Sequence, residues 1–227
     1  MSGMPSRSRF KAPRLGFAAV ALAALAAGCS GSGAADAFSS EGGPSPQQTY
    51  DGVVAAAKAP GPEGFVPTEI EGVKINAPEG WQVDDSGDSL CMRPPGQQNC
   101  DFGAVQVFPH AAQRHPANWP KKDDAFNQDN GWAAQPNACR SAGTARAGNV
   151  AVTASTQTTQ GFTTHADGLK SHHSVWQVEC ENGDTFEVRM WFLPKSDVVV
   201  YVWAVDPRYA EYYDQIAASM DVTAYNS

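Results

Sequence analysis

Residues 197–205, DVVVYVWAV, are apolar with almost no polar alternation. That is the pattern of a strand covered on both faces. Upstream, SVWQVECENGDTFEVRMWF sets Asn182-Gly183 between two runs rich in Val, Phe and Trp. Residues that tolerate positive φ between such runs predict a β-hairpin. A two-residue turn would set Val178 opposite Glu187. A three-residue loop with Gly183 in a bulge would set Val178 opposite Phe186 and Trp176 opposite Val188. A slip of one residue exchanges the two faces. The second register gathers Trp176, Val178, Cys180, Phe186, Val188, Met190 and Phe192 on one side and is the one expected.

The remaining pattern is also strand-rich. GVKINAPEGWQV reads as two short extended pieces broken at Pro78-Glu79-Gly80, and DDSGDS supplies a turn before LCMR. AVQVF is a further strand, and NVAVTAST alternates as a half-buried one does. KKDDAFNQDNGW, carrying Phe126 and Trp132, is expected to be helical. At the carboxyl end, Asp206 as N-cap and Pro207 at the first helical position begin a helix. Its stripe is Tyr209, Tyr212, Tyr213, Ile216 and Met220. The fold class expected is α+β, a mainly antiparallel sheet with helices on both faces.

The amino terminus carries a different pattern. Arg7, Arg9, Lys11 and Arg14 precede the apolar run from Leu15 to Ala27, the layout of an export signal. The run is too short to span a bilayer, which takes roughly 20 residues. It ends in Ala26-Ala27-Gly28-Cys29. This end resembles the bacterial lipobox, whose cysteine is acylated and becomes the first residue of the mature chain. The family commonly has leucine where Ala26 stands. Ala24-Leu25-Ala26 also satisfies the A-x-A rule of ordinary secretion, which would release a soluble protein with Cys29 as a free thiol. Cysteine counting favours the lipobox: of five cysteines, acylation of Cys29 leaves an even set to pair in an oxidising compartment.

The expected organisation is a signal peptide over 1–28, a lipid-anchored tether over 29–50 and one domain over 51–227. The tether, SGSGAADAFSSEGGPSPQQTY, is small and polar. As a Gly/Ser coil it would reach roughly 25 Å. Loss of the signal leaves twelve basic against twenty-four acidic residues, a net charge of −12. Such a body is repelled by nucleic acid. It also gains nothing from anionic lipid heads, so attachment to the extracytoplasmic face of the cell membrane would rest on the acyl chains. The alanine-rich signal and scarce lysine suggest a high-GC bacterium such as an actinobacterium.

From APEGW through the meander, hairpin, apolar strand and terminal helix, residues 70–220 resemble the PsbP-like fold. That fold is known from a photosystem II extrinsic subunit, a Ran-binding import factor and many actinobacterial lipoproteins. The resemblance implies an α/β/α sandwich acting as an accessory or binding subunit, and it carries over no functional residue.

Four cysteines allow three connectivities. Cys91 and Cys100 bracket MRPPGQQN, whose Pro94-Pro95-Gly96 turns the chain, so their bridge is the simplest, and Cys139 would then join Cys180. His165, Asp167, His172 and His173 lie within nine residues and offer imidazole and carboxylate ligands for zinc or copper. Adjacent residues of a strand face opposite ways, however, so His172 and His173 could share an ion only from a loop. No metal and no cofactor is expected. DDSGDS resembles a calcium loop still less, since Ser89 and Pro95 stand where an EF-hand needs glycine and glutamate.

The mature chain contains no G-x-S-x-G, S-x-x-K, H-E-x-x-H or phosphate-binding glycine loop. The function expected is a surface-anchored, non-catalytic binding or accessory module for an envelope protein or cell-wall component. Its candidate contacts are Trp81, Trp119 and Trp132, each in loop-like sequence. The alternative is an exported hydrolase whose histidine, serine and acid converge only in space.

Overall fold

The computed structural model describes residues 63–114, 138–144 and 149–227. The apolar run becomes β9 (Val198–Val202), buried along its whole length. It lies between β5 (Val105–Phe108) and β8 (Thr185–Leu193) in a seven-stranded antiparallel sheet. The strand order is β3-β4-β5-β9-β8-β7-β6, with β3 (Gln82–Asp85), β4 (Leu90–Arg93), β6 (Val152–Thr164) and β7 (Lys170–Cys180).

The β7–β8 hairpin has the three-residue register: Val178 faces Phe186 and Trp176 faces Val188. Gly183 sits at φ 82°. Its N–H donates to the Cys180 carbonyl at 2.9 Å, and Asn182 Oδ1 accepts from Asp184 N at 3.1 Å.

Alternation along β9 divides the core. Val198, Val200 and Val202 join Trp191 and Leu193 on one face. Val199 and Tyr201 join Trp176, Val178, Val188 and Met190 on the other.

The first face is covered by two unlike elements. One is the hairpin of β1 (Phe65–Ile70) and β2 (Val73–Pro78), which forms its own two-stranded sheet and contributes Ile70, Val73 and Ile75. Its two-residue turn, Glu71-Gly72, has φ 50° and 87°, as a primed hairpin turn requires. A side chain on Gly72 would meet the backbone of Tyr225 at 3.0 Å. The other cover is the 3-10 turn Pro207–Tyr209 followed by α2 (Ala210–Ala218), which contributes Tyr213, Ile216 and Ala217.

Polar contacts fix α2 in place. Tyr213 Oη donates to the Gly103 carbonyl and accepts from Asp206 N, both at 3.1 Å. Ser219 Oγ accepts from the buried Asn76 N at 2.8 Å. Arg189 reaches from β8 to Asp214 at 2.9 Å and the Ala210 carbonyl at 3.0 Å. As expected, Asp206 caps the first turn, accepting from Arg208 N at 3.0 Å.

The second face is closed, among the described residues, by Ala111 of the short α1 (Ala111–Arg114) and by the 138–144 segment. The Cys139–Cys180 disulfide and the Ser141 hydroxyl, which donates to Asp184 at 2.7 Å, fasten that segment to the hairpin. Arg140 lies over the Trp203 ring at 3.9 Å.

The expected helices on both faces are therefore not found. Among the described residues the protein is mostly β, and the helices there are α1 of four residues and α2 of nine. An apolar run without alternation demands cover on both faces but does not specify its kind. On the first face a β-hairpin supplies much of it. The helix expected around Phe126 lies outside the described residues.

The edge strand β6 extends well beyond the alternating NVAVTAST stretch. Its pairing with β7 shifts register between Val152 and Ala154 and between Gln157 and Thr159. At the two shifts, Thr153 and Thr158 hydroxyls donate to the β7 carbonyls of Glu179 and Val175 at 3.2 and 3.3 Å.

Candidate functional site

Trp81 follows the Pro78-Glu79-Gly80 turn, closed by Trp81 N donating to the Pro78 carbonyl at 3.1 Å. This carries the indole out of β2 and onto the start of the carboxyl-terminal helix. There it meets Tyr209 edge-on at 5.3 Å and Tyr213 at 6.3 Å, with Tyr212 tilted at 6.5 Å. Phe65 of β1 lies 6.0 Å from Tyr212. The tryptophan itself is 9% exposed and serves as the floor, whereas Tyr212 is 39% exposed and Val66 beside Phe65 is 52% exposed. Phe65 and Tyr209 are half-buried.

Arg208 borders the cluster, its guanidinium 5.4 Å from the Tyr209 ring and bonded to Asp206 at 2.5 Å. The Arg208 hydrogen bonds hold the Asp206 carboxyl below its ordinary range despite burial. The result is an aromatic surface with phenolic edges and one fixed cation, suited to contact rather than to proton transfer. Trp119 and Trp132 lie outside the described residues, as does Cys29.

The histidine-rich segment is drawn apart. His172 and His173 are neighbours in β7 and turn to opposite faces. His172 lies against Phe162 at 4.9 Å, and His173 stacks on Trp191 at 4.7 Å and 12°. His165 Nδ1 is 2.7 Å from the Ala217 carbonyl. A carbonyl only accepts, so Nδ1 carries the proton and Nε2 is the bare nitrogen.

Asp167 is occupied by backbone, accepting from Leu169 N and Val222 N at 2.9 Å. Burial lowers the pKa of His165. Burial, aided by the Arg189 charge, lowers that of His173 to about 3. Among the described residues no hydroxyl or thiol is hydrogen-bonded to the ring of His165 or His173, and no three His, Cys, Asp or Glu side chains converge as a metal set.

The disulfides join Cys91 to Cys100 and Cys139 to Cys180, the pairing favoured by the bracketed turn. The first borders a polar cavity lined by Asp84, Arg93, Gln98, Asn99 and Gln106. No motif flagged this cavity. Its residues come together through antiparallel pairing of β3, β4 and β5, which sets Asp84 and Gln106 on either side of Cys91.

No protein-family model matches the chain, and no curated protein matches its sequence. Among the described residues no helix is long and apolar enough to cross a membrane.

Proposed function

We propose that this chain is a lipid-anchored, extracytoplasmic lipoprotein. It acts as a non-catalytic binding or accessory module for a component of the cell envelope. The observation that carries the reading is the surface of exposed Tyr212 and half-buried Phe65 and Tyr209 built over Trp81, because accessible aromatic side chains held on a buried support supply contact energy at little entropic cost. Cys29 behind its apolar run supports acylation. The two disulfides support an oxidising compartment. A diacyl or triacyl anchor holds the acidic body at the membrane without help from lipid headgroups.

Two measurements test this. A palmitate analogue should label the protein in cells, and Cys29→Ala should abolish the label and release the chain. A photo-crosslinking residue at position 212 of the anchored protein should give a discrete adduct, lost on Tyr209→Ser. An unlabelled, freely secreted protein with no adduct overturns the proposal.

A further inference from the structure

A strand at the edge of a sheet presents unpaired N–H and C=O groups, and proteins blunt such edges with brevity, charge or proline. Two edges of this molecule are blunted in that way. β3, at one end of the seven-stranded sheet, is four residues long and carries Asp84 and Asp85. β1, in the small sheet, carries Pro67 and Glu69.

β6, at the other end of the large sheet, is built differently. Its thirteen residues include no Asp, Glu, Lys, Arg or Pro. Among the described residues it pairs with β7 alone, and the bridge of Ala138 to Ala151 stops just before it begins. Bulges also blunt edges, but both register shifts lie in the first half of β6. From Thr159 to Thr164 it pairs with Val175 to Lys170 without interruption. That regular run holds Phe162, which at 57% exposure is the most accessible of the large apolar side chains among the described residues.

Charge and symmetry select the occupant. The chain has a net charge of −8, so two copies repel each other except where the facing surfaces carry no carboxylate. β6 is such a surface. Pairing it with β3 of the next copy would run head to tail without closing, and the four residues and two carboxylates of β3 make a poor template. Pairing β6 with itself is isologous and closes at two copies. We propose that two copies of this chain pair antiparallel through β6, about a two-fold axis at Phe162, joining their seven-stranded sheets into one. Phe162 then stands directly opposite its own counterpart, and the two rings cover each other. The contact is separate from the aromatic surface over Trp81 and does not depend on the anchor.

The test places single cysteines in the full-length chain, oxidises the membranes mildly and separates the products without reductant. Directly opposed residues of antiparallel strands have Cα atoms about 4.5–5.5 Å apart, within the span of a disulfide. Thr156 stands six residues from the axis, so its two copies lie about 40 Å apart. Phe162→Cys should give a reducible two-chain band, whereas Thr156→Cys and the wild type should not.

Sedimentation of the full-length chain in density-matched detergent should show a two-chain species with Kd between about 1 and 100 μM. Phe162→Lys sets like charges face to face and removes the ring pair, so association should weaken at least about tenfold with Tm unchanged. Tyr212→Ser should leave association unchanged. A monomer at about 1 mM, equal crosslinking at positions 156 and 162, or undiminished association of Phe162→Lys overturns the proposal. So does an adduct of Phe162→Cys with a different protein, or a species that grows beyond two chains. Loss of association with Tyr212→Ser alone also overturns it, and would put the contact between copies on the aromatic surface.

Discussion

Acidification from about pH 7 to about pH 5 should destabilise the domain through His173 by about 2 kcal/mol. An unfolded histidine takes its proton near 6.5. In the fold, burial and the Arg189 charge keep His173 neutral down to about 3. Above 6.5 neither state binds the proton, and the group contributes no pH dependence. Between 6.5 and 3 the unfolded state holds more protons, so stability is lost steadily as pH falls.

At about 1.4 kcal/mol per pH unit, the 1.5 units from 6.5 to 5 give the stated figure. It is an upper value, because His173 as a whole is only partly buried. For a domain of this size the loss corresponds to a fall in Tm of about 4–8 °C. His165 acts with the same sign, since burial also lowers its pKa.

The assay is urea unfolding across this pH range, comparing the wild type with His173→Phe. The variant keeps an aromatic ring over Trp191 and removes the titrating nitrogen. The pH-dependent drop should be smaller in the variant by about 2 kcal/mol. Equal drops in the two proteins would refute the reasoning.

Two further perturbations probe how the layers are fastened. Arg189 is bonded to Glu187 at 2.6 Å and Asp214 at 2.9 Å, with its side chain 14% exposed and that of Asp214 9%. Arg189→Met strands those carboxylates and should cost about 3–5 kcal/mol in chemical denaturation. Adding Asp214→Leu should restore part of this, and a loss below about 1 kcal/mol would mean the pair contributes no more than a surface contact. Replacing Cys139 and Cys180 together by serine opens a closure spanning 41 residues. It should cost about 4 kcal/mol by the chain-entropy relation, read from denaturation midpoints with the other bridge intact, and an unchanged midpoint would count against that relation here.

The hairpin register was legible because Asn182-Gly183 fixed the turn and a single register gathered the apolar side chains. β9 was legible because its neighbours in sequence leave no exposed face. β1 was not read as a strand: Pro67 interrupts it, and a proline-bearing strand is tolerated where the hydrogen-bonding edge is free. The length of β6 was hidden as well, since Thr and Gln on an edge strand give no apolar alternation.

The candidate surface was half legible. Trp81 drew attention as an aromatic in a turn, yet it forms the floor. The rings that reach solvent, half-buried Tyr209 and exposed Tyr212, belong by spacing to the packed stripe of the helix. In the stripe that does form, Tyr213 and Ile216 are fully buried, Ala217 joins them, and Tyr212 is left at the margin. The polar cavity left no local trace because its residues meet through strand pairing, which no short motif encodes.

The place of β9 in the strand order sets when this chain can fold. It is the seam between β3-β4-β5 and β8-β7-β6, and its residues lie near position 200 of 227. A chain made amino terminus first offers its small meander long before the strand that joins it to the rest, and such non-local pairing is slow. Cys91 and Cys100, nine residues apart, can be oxidised while the sheet is still incomplete. Cys139 and Cys180 come together only once β6 pairs with β7 and Ala138 bridges to Ala151. Bridge formation should therefore run in sequence order, with the local crosslink in place before the sheet closes around its last strand.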